Sequence, residues 1–234
     1  MTRSHANGRE IAAQASVVAA AVRDTLPVAA SIAPLALVIG ATAARAGVSA
    51  LADMVGAAAV FAGSAHFAAL TILAAGAGAL TALGTATLIN VRLLLYSASL
   101  QPRFCGQPRW FRWIGPALII DQTYLMVTAR DDLDDPVRFR RYWSGAGGLL
   151  LGCWVATVGL GSVLGQLLPA GVPLDAAAVA VLAGMLAPRL KTIRIATVAM
   201  AALLTAIAVP GGIGLSAGIV AGVLVGAVLD RRRS

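Results

Sequence analysis

Apolar residues along this chain fall in long blocks separated by short polar stretches. Most blocks approach the roughly 20 residues that carry a helix across a bilayer. Read in order, they predict eight helical elements. The first covers 25–44, after a polar segment 1–15 and a stretch 16–24 suited to the membrane interface. Pro27 and Pro34 predict a kink or break within it. A cleaved signal peptide competes, because Ala41-Thr42-Ala43 resembles a cleavage site. The apolar region is too long and starts too late for that reading. The second block, 48–76, would reach roughly 43 Å as one helix, more than a bilayer core of about 30 Å. Gly56, Gly63 and Gly76 offer break points. We expect a tilted or interrupted helix here, with 61–67 near mid-membrane. Discontinuous helices of this kind form substrate and ion sites in secondary transporters.

The third element covers 80–100. A loop at 101–113 follows, with prolines, arginines and two tryptophans that suit an interface. The fourth covers 114–128, and 129–143 reads as a solvated charged loop. The fifth to eighth cover 145–168, 174–186, 195–209 and 213–229. Gly148/Gly152 and Gly161/Gly165 have the spacing that lets membrane helices pack closely. Gly218, Gly222 and Gly226 form a further stripe, for packing within the chain or for docking a partner. Ten-residue alternating strands are absent from the pattern, which argues against a β-barrel. The fold class expected is an all-α polytopic membrane protein of about eight transmembrane helical elements, seven as the alternative, one or more of them discontinuous. Its parts would be an N-terminal interfacial segment 1–24, one transmembrane domain 25–229 and a basic tail 230–234. Within the domain, 61–128 holds the polar site and 145–229 the helical scaffold.

Composition supports this. Of 234 residues 59% are hydrophobic and 12% charged, against about 25% charged in soluble domains. The net charge of +8 sits at block ends, so it reads as an orientation signal rather than as nucleic-acid binding. With eight crossings, 13 of the 18 Lys and Arg fall on the side of the C-terminal arginines and 4 on the other, which places both termini in the cytoplasm. Three of those four lie in the 101–113 loop, the weak point of the scheme. With seven crossings the N-terminus flips. Cys105 and Cys153 lack metal-ligand spacing and read as apolar filler. No metal or other cofactor is expected.

The polar residues concentrate in 61–128. Arg92, Tyr96 and Ser99 share one helix face, and Asn90 with Ser97 makes a second stripe. An ionisable residue inside the membrane is a functional-site hypothesis by default. Arg92 lies roughly 12 Å from the end of its helix and Asp121 roughly 10 Å into the next. If those helices run antiparallel the two charges meet at one depth, and pairing offsets the cost of burying both. The pair is either structural or faces a substrate path. Ser64 and His66 add a hydroxyl and a group that titrates near neutrality. Residues two apart on a helix point in different directions, so a serine-histidine catalytic pair is not expected. The candidate substrate-binding set is Ser64, His66, Asn90, Arg92, Tyr96 and Asp121.

Three blocks, 62–67, 90–100 and 120–122, stand in the order and spacing of the AzlC family of branched-chain amino acid exporters, which this chain resembles over roughly 20–165. The family pattern resembles AGSAQF, NxRHxLYSxxL and TDE. His66, Leu93 and Gln122 replace a glutamine, a histidine and an acidic residue of that pattern. The resemblance implies a large subunit working with a small AzlD-like membrane partner. It also implies export of valine, leucine and isoleucine, with methionine as a further candidate, across a bacterial inner membrane. The absence of a Walker-type loop favours an ion gradient over ATP as the energy source. The alternatives are an exporter of another small solute, a non-transporting membrane scaffold and, least in keeping with the sequence, an intramembrane enzyme.

Overall fold

The computed structural model describes residues 2–169, scattered positions between 171 and 184, 192–209 and 214–231, with most side chains from residue 15 onward. Among the described residues, three helices are long and apolar enough to cross a membrane: 31 residues of α1 (Thr2–Arg45), the 27 of α4 (Ala79–Cys105) and the 32 of α7 (Pro136–Leu167). Between them lie α2 (Ala50–Val60), α3 (Gly63–Ala74), α5 (Arg109–Ile114) and α6 (Asp121–Thr128). Two more, α8 (Ile193–Ala208) and α9 (Gly214–Arg231), follow. The expected element 174–186 and the basic tail beyond 231 lie outside the residues described continuously. No strand occurs among the described residues. The protein is an all-α, polytopic integral membrane protein.

Of the kink or break expected at Pro27 and Pro34, the break does not occur: α1 runs through both as one helix. Nearby hydroxyls bond back to carbonyls of the same helix: Thr25 to Ala21 at 2.7 Å and Ser31 to Val28 at 2.7 Å. α1 and α7 lie side by side and run parallel. Asp24 meets Tyr142 near one end, and Gly161 and Gly165 of α7 meet Leu37 and Ala41 further along. A Cβ on Gly161 would stand 2.3 Å from the Leu37 carbonyl oxygen, and one on Gly40 2.1 Å from that of Val158. Glycine at these positions is therefore what permits the approach. Gly148 and Gly152 face open space instead.

The block 48–76 is interrupted, as expected, but the break falls at Phe61 and Ala62. Phe61 takes a left-handed φ of 35°. The two halves also fold back on each other. On a straight helix His66 would lie roughly 20 Å beyond Asp53, yet the His66 Nε2 is 3.1 Å from the Asp53 Oδ1. α2 enters from the far end, where Gly47 turns the chain, and α3 returns toward that end and turns at Gly76 into α4.

The fourth element behaves likewise from the opposite end. After α4 the chain re-enters through α5 and a 3-10 turn (Gly115–Leu118), breaks at Ile119 and Ile120, and leaves through α6. Tyr96 meets Asp121, Ser99 meets Tyr124 and Arg103 meets Val127, so α4 and α6 run parallel. The antiparallel pair expected from two successive crossings is corrected: residues 106–130 do not cross. Trp143 of α7 fixes this insertion by donating to the Gly115 carbonyl at 2.8 Å, within a cluster of Phe104, Phe111 and Phe139. Consequently Arg103, Arg109 and Arg112 join Arg23, Arg130, Arg138, Arg140 and Arg141 at one end, which removes the weak point in the charge distribution. α4 with α5 and α6 repeats α1 with α2 and α3 upside down, a relation not visible in the sequence.

α8 and α9 form an antiparallel pair. Gly218 and Gly222 face Ala202 of α8 at 2.6 and 3.2 Å from where a Cβ would stand. That stripe is occupied within the chain and is not a face left for a partner.

Candidate functional site

The two breaks lead to the middle of α4, and Arg92 lies there. Its Nη2 is 2.8 Å from the Asp121 Oδ2 and donates to the Ser64 Oγ at 3.2 Å. Ser64 belongs to the first turn of α3, and Asp121 opens α6. A carboxylate suits a helix N-terminus, where the backbone dipole is positive. Tyr96, one turn beyond Arg92, donates to the other Asp121 oxygen at 2.9 Å. Its ring stacks on Tyr124 at 4.3 Å between centroids, and the Tyr124 hydroxyl lies 3.3 Å from Ser99. Asn90 lies two residues before Arg92. Its Oδ1 and the Arg92 Nε are buried without hydrogen-bond partners among the described residues.

The structure therefore brings Ser64, Arg92, Tyr96 and Asp121 together, while Asn90 makes no hydrogen bond to them among the described residues. The pairing of Arg92 with Asp121 emerges as expected, by a parallel rather than an antiparallel route. The Arg92 and Asp121 side chains stay 40% and 25% exposed. A guanidinium has five N–H donors in a fixed fork. This one retains donors for a carboxylate, and an ammonium can approach Asp121.

His66 is engaged elsewhere. Its imidazole sits on Asp53, whose Oδ2 accepts from the Ser162 hydroxyl of α7 at 2.8 Å. All three residues are buried. Ser64 and His66 thus diverge, one to Arg92 and the other to Asp53. The sequence reading missed Asp53 and Ser162. Asp53 had a signal, being the single acidic residue of block 48–76. Tyr124, in the fourth element, is absent from the candidate set.

A second charged network lies in the segment read as a solvated loop. Arg130 bonds both oxygens of Asp132 at 2.9 Å and reaches Asp24 of α1 at 2.8 Å. Arg138 adds a bond to Asp132 at 2.9 Å, and the Arg130 guanidinium lies 4.8 Å over the Tyr142 ring. The bonds from Arg130 hold the Asp132 carboxyl below the usual carboxylate range. The same bonds, Asp132 first, push Arg130 above its ordinary value. This network ties α1 to the start of α7.

Paired broken helices that meet at a partly exposed ion pair on a spanning helix are an arrangement that secondary transporters use for substrate and ion sites. Residues 27–168 match the family described as AzlC protein, which covers both breaks, Arg92 and Asp121. The chain belongs to the AzlC family, a membrane transporter family associated with branched-chain amino acids whose members generally work with a small partner subunit. Neither the curated proteins nor the solved structures provide a match.

Proposed function

We propose that this chain is the site-bearing subunit of an exporter for branched-chain amino acids: valine, leucine and isoleucine, with methionine as a further candidate. Its partner is a small AzlD-like membrane subunit, and an ion gradient drives it. The membrane is a bacterial inner membrane. The arginine-rich end and both termini face the cytoplasm, in keeping with the arginine distribution. No catalytic step is assigned to it.

The observation that carries this reading is Arg92 between Ser64 and Asp121 where the two breaks meet. A zwitterionic amino acid presents a carboxylate for the guanidinium fork and an ammonium for Asp121. Arg suits a carboxylate better than Lys does, because its planar fork matches both oxygens. The first turn of α3, which no side chain caps, lies beside Arg92 and adds a positive dipole end for the same carboxylate. Phe61 and Ile120, both buried at the breaks, supply apolar surface near the site.

The test is efflux of radiolabelled leucine, isoleucine and valine from cells carrying this chain with its small partner, against cells lacking both. Faster efflux with both present is expected. Efflux equal to the empty cells for all three amino acids rejects the reading.

A further inference from the structure

We propose that Asp53, His66 and Ser162 form a one-proton binding site, and that its proton is the coupling ion of the transport cycle. The second half of this proposal rests on the transport reading; the first half does not.

The Asp53 side chain is fully buried and that of His66 is 7% exposed. An ionised carboxylate in such a place is costly unless a positive charge or a proton compensates it. Ser162 donates one hydrogen bond, which is not a charge. Among the described residues, the facing elements supply no other compensation. α1 has no titratable residue between Asp24 and Arg45, and α3 has none besides His66. Arg92 of α4 bonds Ser64, not His66. The compensation at hand among the described residues is one proton on the Asp53–His66 pair, as carboxylate beside imidazolium or as carboxylic acid beside imidazole. Either form is neutral overall, and losing the proton leaves one negative charge. The Asp53 Oδ1 and the His66 Nδ1, both buried, make no hydrogen bond among the described residues, so the pair keeps an open acceptor and a second ring nitrogen for the exchanging proton.

Placement supplies the link to transport. Asp53 lies one turn into α2, close to the far end of the molecule. His66 lies two residues beyond Ser64, the hydroxyl that touches Arg92. α2 and α3 are held against α7 at this point through Ser162. Losing the proton puts an uncompensated charge between the hairpin and α7, which favours their separation and shifts Ser64 relative to Arg92. Proton entry from the far side can then accompany solute exit to it.

Two measurements on the full chain decide this. The first is infrared difference spectroscopy of the purified protein between about pH 5 and about pH 8, the range in which histidine changes charge. Wild type should show a carboxyl or imidazole band that is lost in Asp53→Asn and in the paired-amide variant Asp53→Asn with His66→Gln. Identical difference spectra in all three overturn the proton site. The second compares leucine exchange without a gradient with proton-driven leucine movement, in vesicles carrying this chain and its partner. Asp53→Asn should retain exchange and lose the response to a proton gradient. An undiminished response overturns the coupling. If wild type neither exchanges nor moves any branched-chain amino acid, the transport reading fails and the coupling with it, while the infrared result still decides the site.

Discussion

Arg140 donates to the Gln107 Oε1 at 3.0 Å, and this bond joins the residues just after α4 to the start of α7. Gln107 also donates to the Pro136 carbonyl at 2.9 Å. The segments before and after the second turn-back are thereby held at one end.

The first prediction follows from that bond. In a background lacking Cys105 and Cys153, Trp110→Cys and Arg141→Cys should react with an impermeant thiol reagent from the same side. Ser49→Cys should react from the opposite side. Opposite labelling of positions 110 and 141 shows that residues 106–130 cross the membrane.

Arg92 provides the second. An uncompensated arginine at mid-bilayer costs about 2.5–3.5 kcal/mol on insertion scales, so its presence implies a partner or a task. Arg92→Lys should preserve insertion and weaken transport, since lost charge-assisted bonds are worth about 1.5–3 kcal/mol, on the order of ten- to hundred-fold in apparent affinity. Arg92→Leu should abolish efflux. Adding Asp121→Leu should restore expression and not efflux. Normal efflux from the double variant makes the pair structural.

Much of this site was legible in the sequence, for a specific reason. Arg92 and Asp121 stand out in apolar blocks because a charge there is expensive whatever the fold. The return of α2–α3 and of α5–α6 was not legible. Hydropathy reports that a segment is apolar, and a stretch that crosses looks the same as one that turns back halfway. Of the glycines of block 48–76 named as break points, Gly76 turns the chain and Gly63 opens α3 just past the break, while Gly56 stays helical and the left-handed residue is Phe61. Asp53 was overlooked because its two partners lie in other elements, 13 and 109 residues away.

Packing gives the third prediction. Gly161→Ala places a methyl against the Leu37 backbone at 2.3 Å and should destabilise the protein by at least the roughly 1–3 kcal/mol typical of overpacking. Gly152→Ala meets nothing within 4 Å and should be neutral or gain up to about 1 kcal/mol from helix propensity. Thermal unfolding in detergent, followed by size-exclusion fluorescence, separates the two. Equal melting temperatures contradict the α1–α7 contact.

The fourth concerns Asp132, whose carboxyl is held below its ordinary value by Arg130. A lowered acid binds more protons unfolded than folded, so its contribution is full above the ordinary carboxylate pKa of about 3.9 and is lost as pH falls through the lowered value. Asp132→Asn should lower the melting temperature at neutral pH, and the gap to wild type should close on acidification below about pH 4. A gap independent of pH rules out a charge-based role.

The bond from Ser162 to Asp53 also constrains how the molecule is made. A ribosome releases Asp53 109 residues before the hydroxyl that satisfies it. α2 and α3, at 11 and 12 residues, are each too short to be stitched into the bilayer as independent spans. Until α7 is inserted, the first hairpin is an unfinished wedge with an acid at its flank. Biogenesis of this protein thus has a late checkpoint, and chains truncated before residue 162 should go to membrane quality control.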